Sequence, residues 1–120
     1  LHELRWDGIN KHEKLLSNSG NYIWSSSTLY TDDVIELRKN LFDAFINIEK
    51  TMTANLVHDF HAYNHGDDEN GFIINRQTGM KTFSITQAVV KHNAIHFLHT
   101  DLLQHAQFEE TMHINTVPIN

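Results

Sequence analysis

The run Thr82-Phe83-Ser84-Ile85-Thr86, followed by Lys91-His92-Asn93 and then Ala94-Ile95-His96-Phe97-Leu98-His99-Thr100-Asp101-Leu102, decides the fold class. Thr, Ile, Val and Phe dominate it, and a polar trio interrupts it, so it predicts a strand, a turn and a further strand over 94–102. With a period of two, Ile95, Phe97 and His99 face one side while His96, Leu98 and Thr100 face the other. Upstream, Phe72-Ile73-Ile74-Asn75 and the turn Gln77-Thr78-Gly79 predict another strand leading into 82–86. Outward from this meander the pattern changes twice. Thr31-Asp32-Asp33 supplies an N-cap and first-turn carboxylates for a helix running to about residue 50. Leu37, Leu41, Ala44, Phe45, Ile48 and Met52 recur at spacings of three and four, and that stripe is expected to pack on a sheet. Leu56, Val57, Phe60 and Tyr63 predict a second helix over 53–62. At the start, Leu4-Arg5-Trp6-Asp7-Gly8-Ile9 alternates up to an Asp-Gly pair, which signals a hairpin with strands at 2–6 and 9–16. The expectation is α+β: an antiparallel sheet of about five strands with one or two covering helices. The segment after Ala106 carries no clear signal.

At 120 residues the chain has the size of one domain, with 40% apolar residues to form one core. No apolar run approaches the roughly 20 residues that cross a bilayer, so no membrane span is expected. Nine basic against fifteen acidic residues give a net charge of −6, and no basic cluster serves a phosphate backbone, so no nucleic acid partner is expected. Ten His are the anomaly, since ten protons would take the charge from −6 to +4. The absence of Cys rules out disulfides and a thiol nucleophile in these residues, and suits a cytoplasmic location. Leu1 in place of Met predicts that the chain is part of a longer protein.

Histidine spacing offers the metal candidates. His58, His61 and His65 stand at i, i+3 and i+7 and would line one face of a continuous helix, which suits zinc or haem iron. The opposing expectation is that Gly66 and its loop end the helix before His65, leaving His61 satisfied by backbone groups. His92, His96 and His99 converge only on a helix and separate on a strand. His12-Glu13 lacks the second His of a zinc-protease helix, because position 16 is Leu. Asp67, Asp68 and Glu69 are adjacent rather than alternating, which predicts a solvated turn and no calcium loop. Ser25, Ser26, Ser27 and Thr28 offer hydroxyls beside Trp24, yet no Gly-x-Ser-x-Gly elbow supports a Ser nucleophile. Five scattered glycines form no phosphate loop.

Several segments together resemble the C-terminal half of the NRDE family, also called the transport and Golgi organisation 2 family. They are Arg5-Trp6-Asp7-Gly8, Ile23-Trp24-Ser25-Ser26-Ser27-Thr28-Leu29-Tyr30 before the helix bearing Arg38, Phe60-His61, His65-Gly66-Asp67-Asp68 before Asn75-Arg76, and Thr82-Phe83-Ser84-Ile85-Thr86-Gln87. The resemblance spans about residues 4–102. It implies part of a four-layer αββα sandwich similar to N-terminal-nucleophile hydrolases, in which a Cys exposed by Met removal is nucleophile and base. That Cys and the Asn-Arg-Asp-Glu signature have no counterpart here; Asn75-Arg76-Gln77-Thr78 is not that signature. The resemblance therefore implies a C-terminal structural and pocket-forming part with no catalytic residue of its own. Trp24, Ser25, Ser26, His61 and Asn75 are its implied pocket walls for a small-molecule ligand, and the N-terminal portion of the same protein is its partner. The alternative expectation is a non-catalytic metal- or haem-binding protein using His58, His61 and His65.

Overall fold

The computed structural model describes residues 1–48 and 51–115. Among the described residues the protein is α+β, with five antiparallel strands and two helices. Strands β1 (His2–Trp6) and β2 (Lys11–Leu15) form a hairpin. Its tip is held by Asp7, whose Oδ1 accepts the N–H groups of Ile9 and Asn10 at 2.9 and 2.8 Å, while Gly8 takes φ +100°. Only glycine adopts that angle without strain. These donors, with His12 at 2.5 Å, stabilise the carboxylate, and the Asp7 pKa is lowered to about 2.

Helix α1 spans Asp32–Ile48 and α2 spans Ala54–His61. Thr53 caps α2, its hydroxyl accepting from Leu56 N at 3.2 Å. The expected end of α1 near residue 50, and Pro118, lie outside the described residues. The face that α1 buries differs from the stripe expected. Arg38 and Phe42 are buried, with Leu41, Phe45 and Ile46 partly so, while Leu37 and Ile48 are exposed. The packed stripe is rotated about one residue, because α1 docks on aromatic rings rather than on a sheet. Phe60 of α2 lies 6.0 Å from Phe42, 4.5 Å from Phe45 and 4.6 Å from Phe72 between ring centres. Each such ring removed from water contributes about 1.5–3 kcal/mol.

The second sheet is the meander β3 (Ser84–Lys91), β4 (Ala94–Asp101) and β5 (Ala106–His113), in the order β3-β4-β5. The β3–β4 connection is the residue pair His92-Asn93, with His92 at φ 53°. One sequence expectation needs correction here, and one silent segment is resolved. Residues 72–75 form no strand: they make one isolated bridge, Asn75 to Lys81, because Phe72 and Ile74 turn inward to the core. The segment after Ala106, which carried no clear signal, is the third strand of the meander. Its own residues are mostly polar, and pairing with β4 supplies the hydrogen bonds that specify it.

The two faces of this sheet have different fates. On one, α2 packs beside β3, with Gln87 Nε2 donating to Ala54 O at 2.7 Å and His58 Nε2 3.1 Å from Thr100 Oγ1. The other face is set by the register: Ala88 opposite Phe97, Val90 opposite Ile95, Ile95 opposite Met112 and His99 opposite Phe108. It carries an apolar patch bordered by Thr86, His99 and Glu110, and Val90 and Phe108 remain 68% and 60% exposed. Total accessible area is 9616 Å², against about 6,700 Å² for a folded monomer of this mass. The radius of gyration is 16.8 Å, where a compact domain of this length has about 14 Å. Among the described residues no helix is long and apolar enough to cross a membrane.

Candidate functional site

The main polar centre inside this structure is Arg38. A helix that places Arg38 on one stripe between half-buried Ile35 and buried Phe42 must bring a guanidinium into apolar surroundings, and Arg38 is only 9% exposed. Its plane is held between two rings, 4.4 Å from the centre of Tyr30 and 4.1 Å from that of Phe72. Nε donates to Ser25 Oγ at 2.9 Å, and Nη1 donates to the carbonyls of Asn70 and Gly71 at 3.0 and 2.5 Å. One side chain thus ties the Trp24–Thr28 loop, α1 and the Asn70–Phe72 segment together. Loss of hydration on burial pushes the Arg38 pKa down.

The close approach at Gly71 requires glycine. A Cβ there would stand 2.1 Å from Asn64 O and 2.4 Å from Asp67 O. Asp67 shapes the same turn: its Oδ1 accepts the N–H groups of Asn70 and Glu69, both at 2.9 Å. The Asn70 N–H is the larger cause that lowers its pKa. Arg76 reaches the cluster from the other side, donating from Nη2 to Leu29 O and from Nε to Glu69 O at 2.9 and 2.8 Å, with Cζ 5.4 Å from the Tyr30 ring centre.

Among the described residues, Trp24, His61 and Asn75, singled out from the sequence as pocket walls, line three different cavities. Trp24 is exposed, donates from Nε1 to Glu3 Oε2 at 2.7 Å, and lines a cavity of about 360 Å³ with Leu4 and Arg5. Ser25 is the acceptor for Arg38, and Ser26 is 3.0 Å from the hydroxyl of Thr28. His61 lines a separate cavity of about 150 Å³ with His58, Ile85 and Gln87. Asn75 borders a third, of about 480 Å³, with Lys81, Leu102 and His105. Ser25 and Ser26 make no hydrogen bond to a His, so the arrangement for a Ser nucleophile is absent among the described residues.

Nor are His58, His61 and His65 assembled as a ligand set. Helix α2 ends at His61 and His65 sits beyond it at φ 54°. His61 Nδ1 donates to Val57 O at 2.9 Å, and His65 Nε2 turns back to Phe60 O at 2.9 Å. The rings of His61 and His65 lie against Phe72 at 5.3 and 5.2 Å. Among the described residues no group of three His, Cys, Asp or Glu could hold a metal ion. The trio does not fit zinc or haem iron, because two of the three rings serve as wedges in the aromatic core. His96 and His99 likewise separate, bonding Thr111 and Thr86 on opposite faces of the sheet.

Sequence reasoning placed Arg38 only in a resemblance and missed Tyr30 and Arg76 as a cluster. A usable signal existed: Arg38 lies three residues after Ile35 and four before Phe42, inside an apolar stripe where a charge must find partners. Comparison of the chain with protein-family models, with curated proteins and with solved structures gave no match.

Proposed function

We propose that this chain is the C-terminal structural and pocket-forming part of an NRDE-family, N-terminal-nucleophile-hydrolase-like protein, with the nucleophile supplied from outside these residues. The observation that carries the reading is the open apolar face of the β3-β4-β5 sheet. A sheet with a helix on one face, and on the other Val90, Phe108 and Met112 exposed beside half-buried Ile95 and Phe97, supports reading it as half of a layered structure. A second sheet packed about 10 Å away would complete an αββα sandwich. The exposed β1-β2 hairpin supports the same reading, since an isolated hairpin is marginal in water. On this reading the protein works in the cytoplasm, and no step of catalysis belongs to this chain.

The test is chemical. The uninterrupted reading frame that encodes these residues is expressed, its mature N-terminal residue is sequenced, and amide hydrolysis is followed before and after thiol alkylation. A mature N-terminal Cys whose alkylation abolishes hydrolysis is the expected result. Turnover by the 120-residue chain alone, or a native start codon directly before Leu1, overturns the reading.

A further inference from the structure

Two guanidinium groups meet at one phenol ring. Arg38 Cζ and Arg76 Cζ lie 4.4 and 5.4 Å from the Tyr30 ring centre, so the two charges are within about 10 Å, one Debye length at moderate salt. Among the described residues, neither comes within 4.0 Å of a carboxylate; the side chains that do are His2 with Glu13, His12 with Asp7, Lys39 with Asp43 and His58 with Asp59. The acids of the adjoining loop are turned elsewhere. Asp67 accepts main-chain N–H groups, Asp68 accepts from the Asn64 amide at 2.6 Å, and Glu69 Oε1 accepts from Gln77 N at 2.8 Å.

Both guanidinium groups are oriented by main-chain carbonyls, which fix a cation without neutralising it. Unused donors remain. Arg38 Nη2 and the Tyr30 hydroxyl make no hydrogen bond among the described residues, and Arg76 Nη1 has only the Met80 sulfur at 4.0 Å. Two fixed cations with spare donors and no carboxylate within 4.0 Å among the described residues can act as a receptor for negative charge. We propose that the Tyr30–Arg38–Arg76 cluster binds the oxyanion, carboxylate or phosphate, of a small-molecule ligand. Arg76 and the Tyr30 hydroxyl contact the anion, and the buried Arg38 supplies the positive field behind them. This site is independent of what covers the sheet, so its failure leaves the proposed function standing.

The experiment follows the arginine Nε–Hε resonances of the 120-residue chain by ¹⁵N NMR while sodium phosphate or sodium acetate replaces sodium chloride at constant ionic strength. The resonances of Arg38 and Arg76 are expected to move and saturate with phosphate or acetate and to stay fixed in chloride. The anion that saturates first identifies the ligand class. Arg76→Gln should raise the half-saturating concentration at least tenfold, on the order expected for a lost charge-assisted pair, whereas Arg5→Gln on the hairpin leaves it unchanged. Absence of saturation with both anions, equal shifts in chloride, or an unchanged midpoint in Arg76→Gln overturns the proposal. Should Arg76→Gln fail to fold, the wild-type titration decides alone.

Discussion

Truncating one phenylalanine in the core and one on the open sheet face should separate the two kinds of apolar surface in this protein. Phe60 is 8% exposed and touches Phe45, Phe72 and His65 at ring distances of 4.5, 4.6 and 4.7 Å. Phe60→Ala removes a fully packed ring and leaves a cavity at the junction of α1, α2 and the Phe72 segment, which costs about 3–5 kcal/mol. For a chain of this length, 4 kcal/mol lowers Tm by about 15 °C. Phe108 is as large but stands in water on the bare face, with His99 as its aromatic neighbour at 6.4 Å. Phe108→Ala should cost no more than about 0.5 kcal/mol in the 120-residue chain. Urea unfolding followed by far-ultraviolet circular dichroism measures both. A loss for Phe108→Ala equal to that for Phe60→Ala would mean the face is already covered, and the argument from the uncovered sheet would fail. In a longer protein whose second sheet covers this face, the same Phe108 substitution should become several-fold more costly.

Three further outcomes follow from the same structure. Asp7 has its folded-state pKa lowered from 3.8 to about 2, so its contribution is complete above the unfolded value and fades as pH falls through about 2; carboxyl NMR titration of Asp7, with Asp7→Asn as control, checks the window, and a midpoint near 4 refutes it. Gly71→Ala forces a methyl against two carbonyl oxygens and displaces two acceptors of Arg38, so a loss of at least about 2 kcal/mol is expected by thermal unfolding; an unchanged Tm would show the turn can open freely. Stoichiometric zinc or haem should produce no saturable thermal or absorbance shift that disappears when His58, His61 and His65 are all replaced by Ala; such a shift would restore the trio as ligands.

How much of this was legible varies with the kind of interaction. The hairpin at Asp7-Gly8, the start of α1 at Asp32, the span of α2 and the separation of His96 from His99 all rest on local rules, and the sequence carries local rules openly. The 72–75 segment misled because a buried Phe-Ile-Ile run reads as a strand whether its backbone pairs or not. Strand β5 was invisible for the opposite reason: Glu109, Glu110 and Gln107 dilute its alternation, and only β4 beside it completes its hydrogen bonds. The pocket residues scattered because sequence order says nothing about which loops a long side chain such as Arg38 will tie together.

Composition and periodicity by themselves determined that this chain is α+β, carries no membrane-crossing helix among the described residues and holds no thiol, because each depends on residue type or on neighbours a few positions apart. Tertiary structure alone decided which stripe of α1 is inside, that two core histidines are wedges rather than ligands, that Arg38 and Arg76 converge on Tyr30, and that one sheet face stays bare. Those outcomes turn on contacts between residues tens of positions apart, where packing and desolvation outweigh any local preference.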